Sequence, residues 1–401
     1  MEYYVTEKRT LVFGLTGGAL EPEVVSVDLN RMELRKLAGG PGDDLPDAEV
    51  FTDGRLSELV APVERWACPG DIVYLVPHDA LHRLPLAAIP LGGRPLIDRN
   101  PVAVTPSSSV LRYCRAKRTG RRGSALVVAA PPTERPLAFA QEQAYAVAAG
   151  FGQSVVLNGP AARRAVLLER LCPGAAAPDI VHFTTHGVFE PEAPMQSGIE
   201  LADGRLTAQD ILGLTLQVDL VTLGACSTGV SDRRPGDELM GLTRALLYAG
   251  APSVLVTLWD VDEVSTSMLF TRFYAELAAG ASKAECLRRA QQWLRRQTLA
   301  DVLTYAQLAG ERLRDDQVAE TALLCEQARL HARAGDPACA ERLLTGILKR
   351  RDLPEHLRDQ VQIALLQMRL LGSGAVDGSP ALLPFDDPYY WAPFLLVGDW
   401  L

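Results

Sequence analysis

The chain has 401 residues, 48% of them hydrophobic and 22% charged, which excludes a disordered tail and predicts a folded protein of two or three units. Its formal charge of −9, with no basic stripe to hold phosphates, excludes nucleic acid as an expected partner. No apolar run approaches the roughly 18 residues that cross a bilayer, and the opening Met1-Glu2-Tyr3-Tyr4-Val5-Thr6-Glu7-Lys8-Arg9 lacks the apolar core of a signal peptide, so no membrane contact is expected.

Residues 1–50 alternate short strand-like stretches (10–15, 24–27) with Gly, Pro and Asp breaks, and 39–44 is a loop. A helix is predicted over 56–66 and a strand over 71–76, running into Pro77-His78-Asp79-Ala80-Leu81-His82-Arg83-Leu84-Pro85. The arginines of 115–118 and 121–122 read as a solvated linker, and the Gly/Arg-rich 119–123 as the junction between two α/β halves. From Ser124 the alternation becomes regular: strand 125–130, helix 136–149, strand 154–157, helix 163–171, then two buried strands near 180 and 220. An amphipathic helix over 237–249 carries Leu239, Leu242, Leu246 and Ala249 on one face, strand 253–259 follows, and the next helix carries Leu269, Phe273 and Leu277. Such alternation indicates an α/β fold with a parallel sheet covered by helices on both faces. Residues 303–371 have no strand signal. There, 322–333 and 337–349 flank Gly335-Asp336 as helix, turn, helix, similar to a degenerate tetratricopeptide-type unit that must pack on the body or on a partner. A last strand over 391–397 is expected to rejoin the sheet, which makes the helical segment an insertion.

The chemistry concentrates where the two apolar strands end. Asp179-Ile180-Val181-His182-Phe183-Thr184-Thr185 runs into His186-Gly187, and Asp219-Leu220-Val221-Thr222-Leu223-Gly224-Ala225 runs into Cys226-Ser227-Thr228-Gly229. Side by side, these strands bring an imidazole and a thiol together at the carboxyl edge of the sheet, where α/β proteins bind ligands. A cysteine beside a histidine is an activated nucleophile, which predicts a cysteine hydrolase. His182 shares the facing of His186 but lies deeper, as a hydrogen-bonded core histidine would. His78 and His82 read as structural, and His331 and His356 as surface residues of the helical segment. The seven cysteines (68, 114, 172, 226, 286, 325 and 339) show no paired spacing, as suits a reducing cytoplasm. No C-x-x-C, H-E-x-x-H or phosphate-cradling loop occurs, so no metal or cofactor is expected and a nucleotide-binding reading is set aside.

Several phrases in order resemble the CHAT family of caspase-like cysteine peptidases, which are related to separase. They are 180–187, 223–229, Gly236-Asp237-Glu238-Leu239-Met240-Gly241-Leu242, Leu247-Tyr248-Ala249-Gly250-Ala251, Leu258-Trp259, Leu81-His82-Arg83-Leu84-Pro85 and Tyr389-Tyr390-Trp391-Ala392-Pro393-Phe394. The resemblance implies a caspase-like fold divided into a degenerate caspase-like N-terminal half (1–122), a catalytic unit (123–302), the helical insertion (303–381) and a final strand (382–401). It implies a His186–Cys226 dyad, with the backbone N–H groups of Gly187 and Cys226 as oxyanion donors. Leu258-Trp259-Asp260-Val261-Asp262 resembles the separase segment in which an acidic residue binds a basic P1 side chain, so Asp260 and Asp262 are specificity candidates. Both also fit helix capping. The loop 231–235 reads as exposed, with an activation loop as the sharper alternative. The implied function is endopeptidase cleavage of a protein substrate, held in check by an activating partner or sensor, in a setting such as defence or programmed-death signalling. A binding scaffold of the same fold is the alternative.

Overall fold

Eight strands form one central sheet. In chain order they are β1 (Val73–Leu75), β2 (Val102–Val104), β3 (Ser124–Ala129), β4 (Gln153–Leu157), β5 (Ile180–Thr184), β6 (Leu220–Leu223), β7 (Ser253–Thr257) and β8 (Phe394–Gly398). The structure is a computed structural model. It describes every residue except 40–47, 53, 130–136, 138, 173–176, 189, 191–192, 225–236, 314–316, 334, 352 and 371–382, and describes 237–240, 319, 333, 356 and 367–370 by their backbone alone.

The spatial order is β1-β2-β8-β7-β6-β5-β3-β4. Strands β3 to β7 are mutually parallel. The last strand, β8, enters antiparallel to β7 and parallel to β2, which is itself parallel to β1. The sheet is therefore α/β and mostly parallel, as the alternation predicts, but β1, β2 and β8 run opposite to the other five. β8 is the seam between the early strands and the later ones. Every residue of β5, β6 and β7 is buried, which is why these segments read as unbroken apolar runs rather than alternating ones.

The main helices are α1 (Ser108–Lys117), α2 (Ala140–Ala148), α3 (Asp237–Ala249), α4 (Glu263–Ala278), α5 (Lys283–Leu294), α6 (Leu299–Arg312), α7 (Gln317–Arg333), α8 (Pro337–Leu348) and α9 (Glu355–Leu370). The helix expected over 56–66 is two helices, Gly54–Val60 and Val63–Trp66. Pro62 has no N–H and its ring clashes with the preceding turn, so it divides them. Trp391, the first residue of the expected last strand, instead ends a helical turn (Pro388–Trp391) that Asp387 caps, and it is turned into the core.

Helices α7 to α9 form a stack with its own core of Ala328, Ala340, Leu344, Ile347, Leu353, Leu357 and Val361. Leu323 and Leu330 of α7 belong instead to the main core, so this helix joins the stack to the body. Among the described residues no helix is long and apolar enough to cross a membrane.

The arginine-rich stretch is exposed from 115 to 121, as its composition suggests, and its arginines also form ion pairs. Arg115 and Lys117 end α1. The next three arginines meet carboxylates at the edge where β3, β5 and β6 begin: Arg118 lies 3.5 Å from Asp399, Arg121 lies 3.3 Å from Asp179 and Arg122 lies 3.9 Å from Asp219. Asp219 also accepts the N–H of Gly120 at 2.9 Å, and Asp179 accepts that of Gly123 at 2.8 Å. The carboxylates come from 50 to 280 residues away by rough count, so a local charge rule cannot anticipate the clasp.

Candidate active site

The two strands that carry the reactive residues are neighbours. β5 and β6 pair in parallel from Ile180↔Leu220 to Phe183↔Leu223, and the Gly224 N–H donates to the Phe183 carbonyl at 2.8 Å. His186 follows Phe183 by three positions, and Cys226 follows Leu223 by three. Cys226 lies outside the described residues, as does the loop 231–235.

His186 is buried, with 4% of its surface exposed. It sits where the chain leaves the central sheet for a small antiparallel sheet made by Gly187–Val188, Gly198–Leu201 and Gly204–Thr207. The change of sheet is held by two bonds to the Glu200 backbone: the His186 carbonyl accepts from Glu200 N–H at 2.9 Å, and Thr185 Oγ1 donates to the Glu200 carbonyl at 2.8 Å. Gly187 pairs with Ile199 directly afterwards. An imidazole carried on backbone held in this way at the carboxyl edge can serve as a proton carrier for a nucleophile.

His182 is of a different kind. It is fully buried, its Nε2 lies 3.1 Å from Gln143 Nε2, and its Nδ1 lies 2.6 Å from Thr222 Oγ1, which in turn lies 2.6 Å from the Tyr274 hydroxyl. Burial lowers its pKa to about 3, so the ring is neutral and has both nitrogens engaged. The rings of Phe270 and Tyr274 meet it edge-on at 4.9 and 5.5 Å. His78 accepts the Val5 N–H on Nδ1 at 3.1 Å and tilts against Tyr4, holding the N-terminal strand to the turn after β1.

The two acidic candidates both lie between the end of β7 and the start of α4. Asp262 is the N-cap of α4, and its Oδ1 accepts the Ser265 N–H at 2.8 Å. Asp260 is half-buried in the turn between β7 and that cap. Nearby, Trp259 Nε1 donates to the Tyr389 carbonyl at 3.1 Å and Leu258 N–H to the Pro393 carbonyl at 2.9 Å. These bonds are what the terminal aromatic phrase does: it closes the end of β7.

The described cysteines form no disulfide. Burial pushes the Cys114 thiol up to about 11 and the Cys286 thiol up to about 12, which leaves both inert at neutral pH. His331, Asp336 and Cys339 bring their ligand atoms within 4.8 Å of one another at the turn between α7 and α8. Capping explains the carboxylate there, because Asp336 Oδ1 accepts the Cys339 N–H at 2.9 Å. Gln143, Thr222 and Tyr274, the residues that surround His182, had no motif to mark them in the sequence. They come from three different elements.

A model of the family described as the CHAT domain matches residues 55–399. Among curated proteins, the chain is similar to tetratricopeptide repeat protein 28 of Homo sapiens, 28% identical over 195 residues, which is 39% of this chain and 8% of that protein. It is also similar to the Mus musculus protein of the same name, 41% identical over 87 residues, 22% of this chain and 4% of that protein. The chain thus spans less than a tenth of the length of these curated relatives. Among solved structures it is similar to the Arg specific cysteine proteinase gingipain R, with a TM-score of 0.42 at 11% identity, covering 62% of this chain and 64% of that one. A complex of Porphyromonas gingivalis RgpB pro- and mature domains gives a TM-score of 0.39 at 9% identity, covering 65% and 70%.

Proposed function

The chain belongs to the CHAT domain family, and from that premise we propose that it is a cysteine endopeptidase in which His186 and Cys226 are the dyad. The observation that carries the reading is the register of β5 and β6. In the sequence His186 follows Phe183 by three positions and Cys226 follows Leu223 by three, counted from the Phe183↔Leu223 rung, and the two residues from Gly224 to Cys226 can span at most about 7 Å. This chain reach supports the reading that brings the imidazole and the thiol together.

The chemistry follows from the two groups. The Cys226 thiolate adds to the scissile carbonyl carbon, and the oxyanion is held by the N–H groups of Gly187 and Cys226. The C–N bond breaks as the His186 imidazolium gives its proton to the leaving amine, leaving a thioester. His186 then takes a proton from water, the hydroxide adds to the thioester, and the C–S bond breaks to release the acid and restore the thiolate.

Asp260 and Asp262 are the proposed determinants of a basic P1 side chain, since a carboxylate pairs well with a guanidinium. Asp262 already gives one oxygen to the α4 cap, so Asp260→Asn is the substitution that tests the P1 preference without removing that cap. The substrate is a protein, and an activating protein partner or sensor controls turnover in a cytoplasmic setting of defence or programmed-death signalling. A second reading, a binding scaffold with little turnover, is supported by the separate core of α7 to α9.

The test is hydrolysis of paired fluorogenic peptides with Arg or Asp at P1, by wild type and Cys226→Ala. Cleavage after Arg that the variant loses supports the peptidase and the acidic pocket. Cleavage after Asp keeps the dyad and overturns the pocket. A Cys226 thiol that also fails to react with a peptidyl electrophile overturns the enzyme and favours the scaffold.

A further inference from the structure

The turn between α7 and α8 gathers three metal-ligating side chains of different chemistry. His331 stands in the last turn of α7, Asp336 is the N-cap of α8, and Cys339 is in the first turn of α8. One ligand atom from each lies within 4.8 Å of the other two.

The backbone that carries them is fixed by its own bonds. The Asp336 N–H donates to the His331 carbonyl at 2.9 Å, and the Gly335 N–H to the Ala332 carbonyl at 3.1 Å. These are the paired bonds of a Schellman helix end. Gly335, at φ 75°, supplies the left-handed conformation that such an end requires. Asp336 Oδ1 then accepts the Cys339 N–H at 2.9 Å, which starts α8. The spacing of the three side chains is therefore set before any ligand binds.

The cap uses one oxygen of Asp336 and leaves the other. Oδ2 faces His331 Nδ1 at 4.0 Å, which is beyond hydrogen-bond length. Among the described residues, no hydrogen bond joins the imidazole, this oxygen and the Cys339 thiol to one another. Three lone-pair donors that converge without sharing a proton suit a cation between them. Around a tetrahedral zinc, with bonds of about 2.0 Å to N and O and 2.3 Å to S, donor atoms stand roughly 3.3–3.5 Å apart. Rotation of the partly exposed side chains closes that difference. A mixed N, O and S set selects a zinc-type ion over calcium or magnesium, which take oxygen ligands.

We propose that His331, Asp336 and Cys339 form a zinc(II) site that staples the end of α7 to the start of α8. The thiol proton passes to solvent as the S–Zn bond forms, and a water completes the tetrahedron on the side where Asp336 is half exposed. The staple stands beside the contact of Ala328 on α7 with the α8 residues Ala340 and Leu344 in the core of the stack. The proposal is independent of the dyad reading.

The test is titration of the full chain with Co(II), which occupies zinc sites and gives a sulfur-to-metal charge-transfer band when a thiolate binds it. Every sample carries Cys226→Ala, which removes the thiol of the proposed dyad as a competing ligand. The expected result is one Co(II) per chain with a charge-transfer band that Zn(II) displaces. Cys339→Ser should abolish the band. His331→Ala and Asp336→Asn should each weaken binding at least about tenfold, the loss that even an outer partner of a metal ligand causes. Asp336→Asn keeps a capping side chain, so its loss reads the ligand and not the turn. Absence of the band, or a band that survives Cys339→Ser, would overturn the proposal. A band lost in Cys339→Ser but unchanged in both His331→Ala and Asp336→Asn would overturn it as well, by showing adventitious binding to a single thiol.

Discussion

Lys283 Nζ lies 2.9 Å from Asp219 Oδ2, and both side chains are fully buried. The ammonium also donates to Ser253 Oγ at 2.9 Å, and Asp399, equally buried, lies 4.0 Å away. Ser253 starts β7, Asp219 precedes β6 and Asp399 follows β8, so one lysine on α5 ties three strands at the edge opposite His186. Desolvation pulls the Lys283 pKa below its ordinary value, and the two carboxylates oppose that pull.

Replacing that lysine leaves two buried carboxylates short of their main counter-charge. Lys283→Met is expected to lower stability by about 3–5 kcal/mol, as breaking one side of a buried pair does. Urea unfolding monitored by circular dichroism measures it. A loss below about 1 kcal/mol, the range of an exposed pair, would show that the cluster is solvated.

His182 gives the protein an acid liability. Its folded pKa is about 3, against about 6.5 unfolded. Below the unfolded value the unfolded chain takes up a proton that the native chain refuses, so stability is complete above pH 6.5 and falls as the pH drops toward 3. The loss from this one group approaches about 5 kcal/mol at the acid limit. Histidine resonances followed by NMR check the cause: His182 should not titrate in the folded protein above pH 4, and a midpoint near 6.5 would refute the assignment.

Gly224 has little room for a side chain. A Cβ there would stand 3.1 Å from Phe270 Cε2, 3.2 Å from Gln143 Nε2 and 3.2 Å from the Phe183 carbonyl. Gly224→Ala is expected to cost about 1–2 kcal/mol by overpacking and to lower peptidase activity, because the neighbours that must yield are those that hold the strand ends. Thermal unfolding and initial rates, measured together, decide this. Unchanged values for both would mean that the site relaxes freely.

The two acidic candidates are separable by experiment. Asp262→Ala removes the α4 cap and is expected to cost about 1 kcal/mol with little change in the ratio of cleavage after Arg to cleavage after Asp. Asp260→Asn keeps the cap and is expected to lower that ratio at least tenfold. The opposite pattern in a paired-peptide assay would assign the pocket to Asp262.

The sequence alone determined which segments would lie at the centre of the sheet. The runs at 180–184 and 220–223 are mostly apolar, short and β-branched, bounded by turn residues, as strands buried on both faces are, so the positions of His186 and Gly187 at a strand end were legible in the sequence. The family phrases around them were legible for the same local reason, and Asp262 could be read as a cap from its neighbours. The tertiary structure alone decided the rest. It set the antiparallel entry of β8 and the clasp of Arg118, Arg121 and Arg122 on Asp399, Asp179 and Asp219. It also set the burial of Lys283 and the meeting of Gln143 with His182 and Thr184. Each depends on partners that are distant along the chain, where neither periodicity nor charge pattern carries information. Strand pairing and side-chain burial are properties of the packed molecule, and they brought the exposed arginines of 118–122 against carboxylates at the sheet edge.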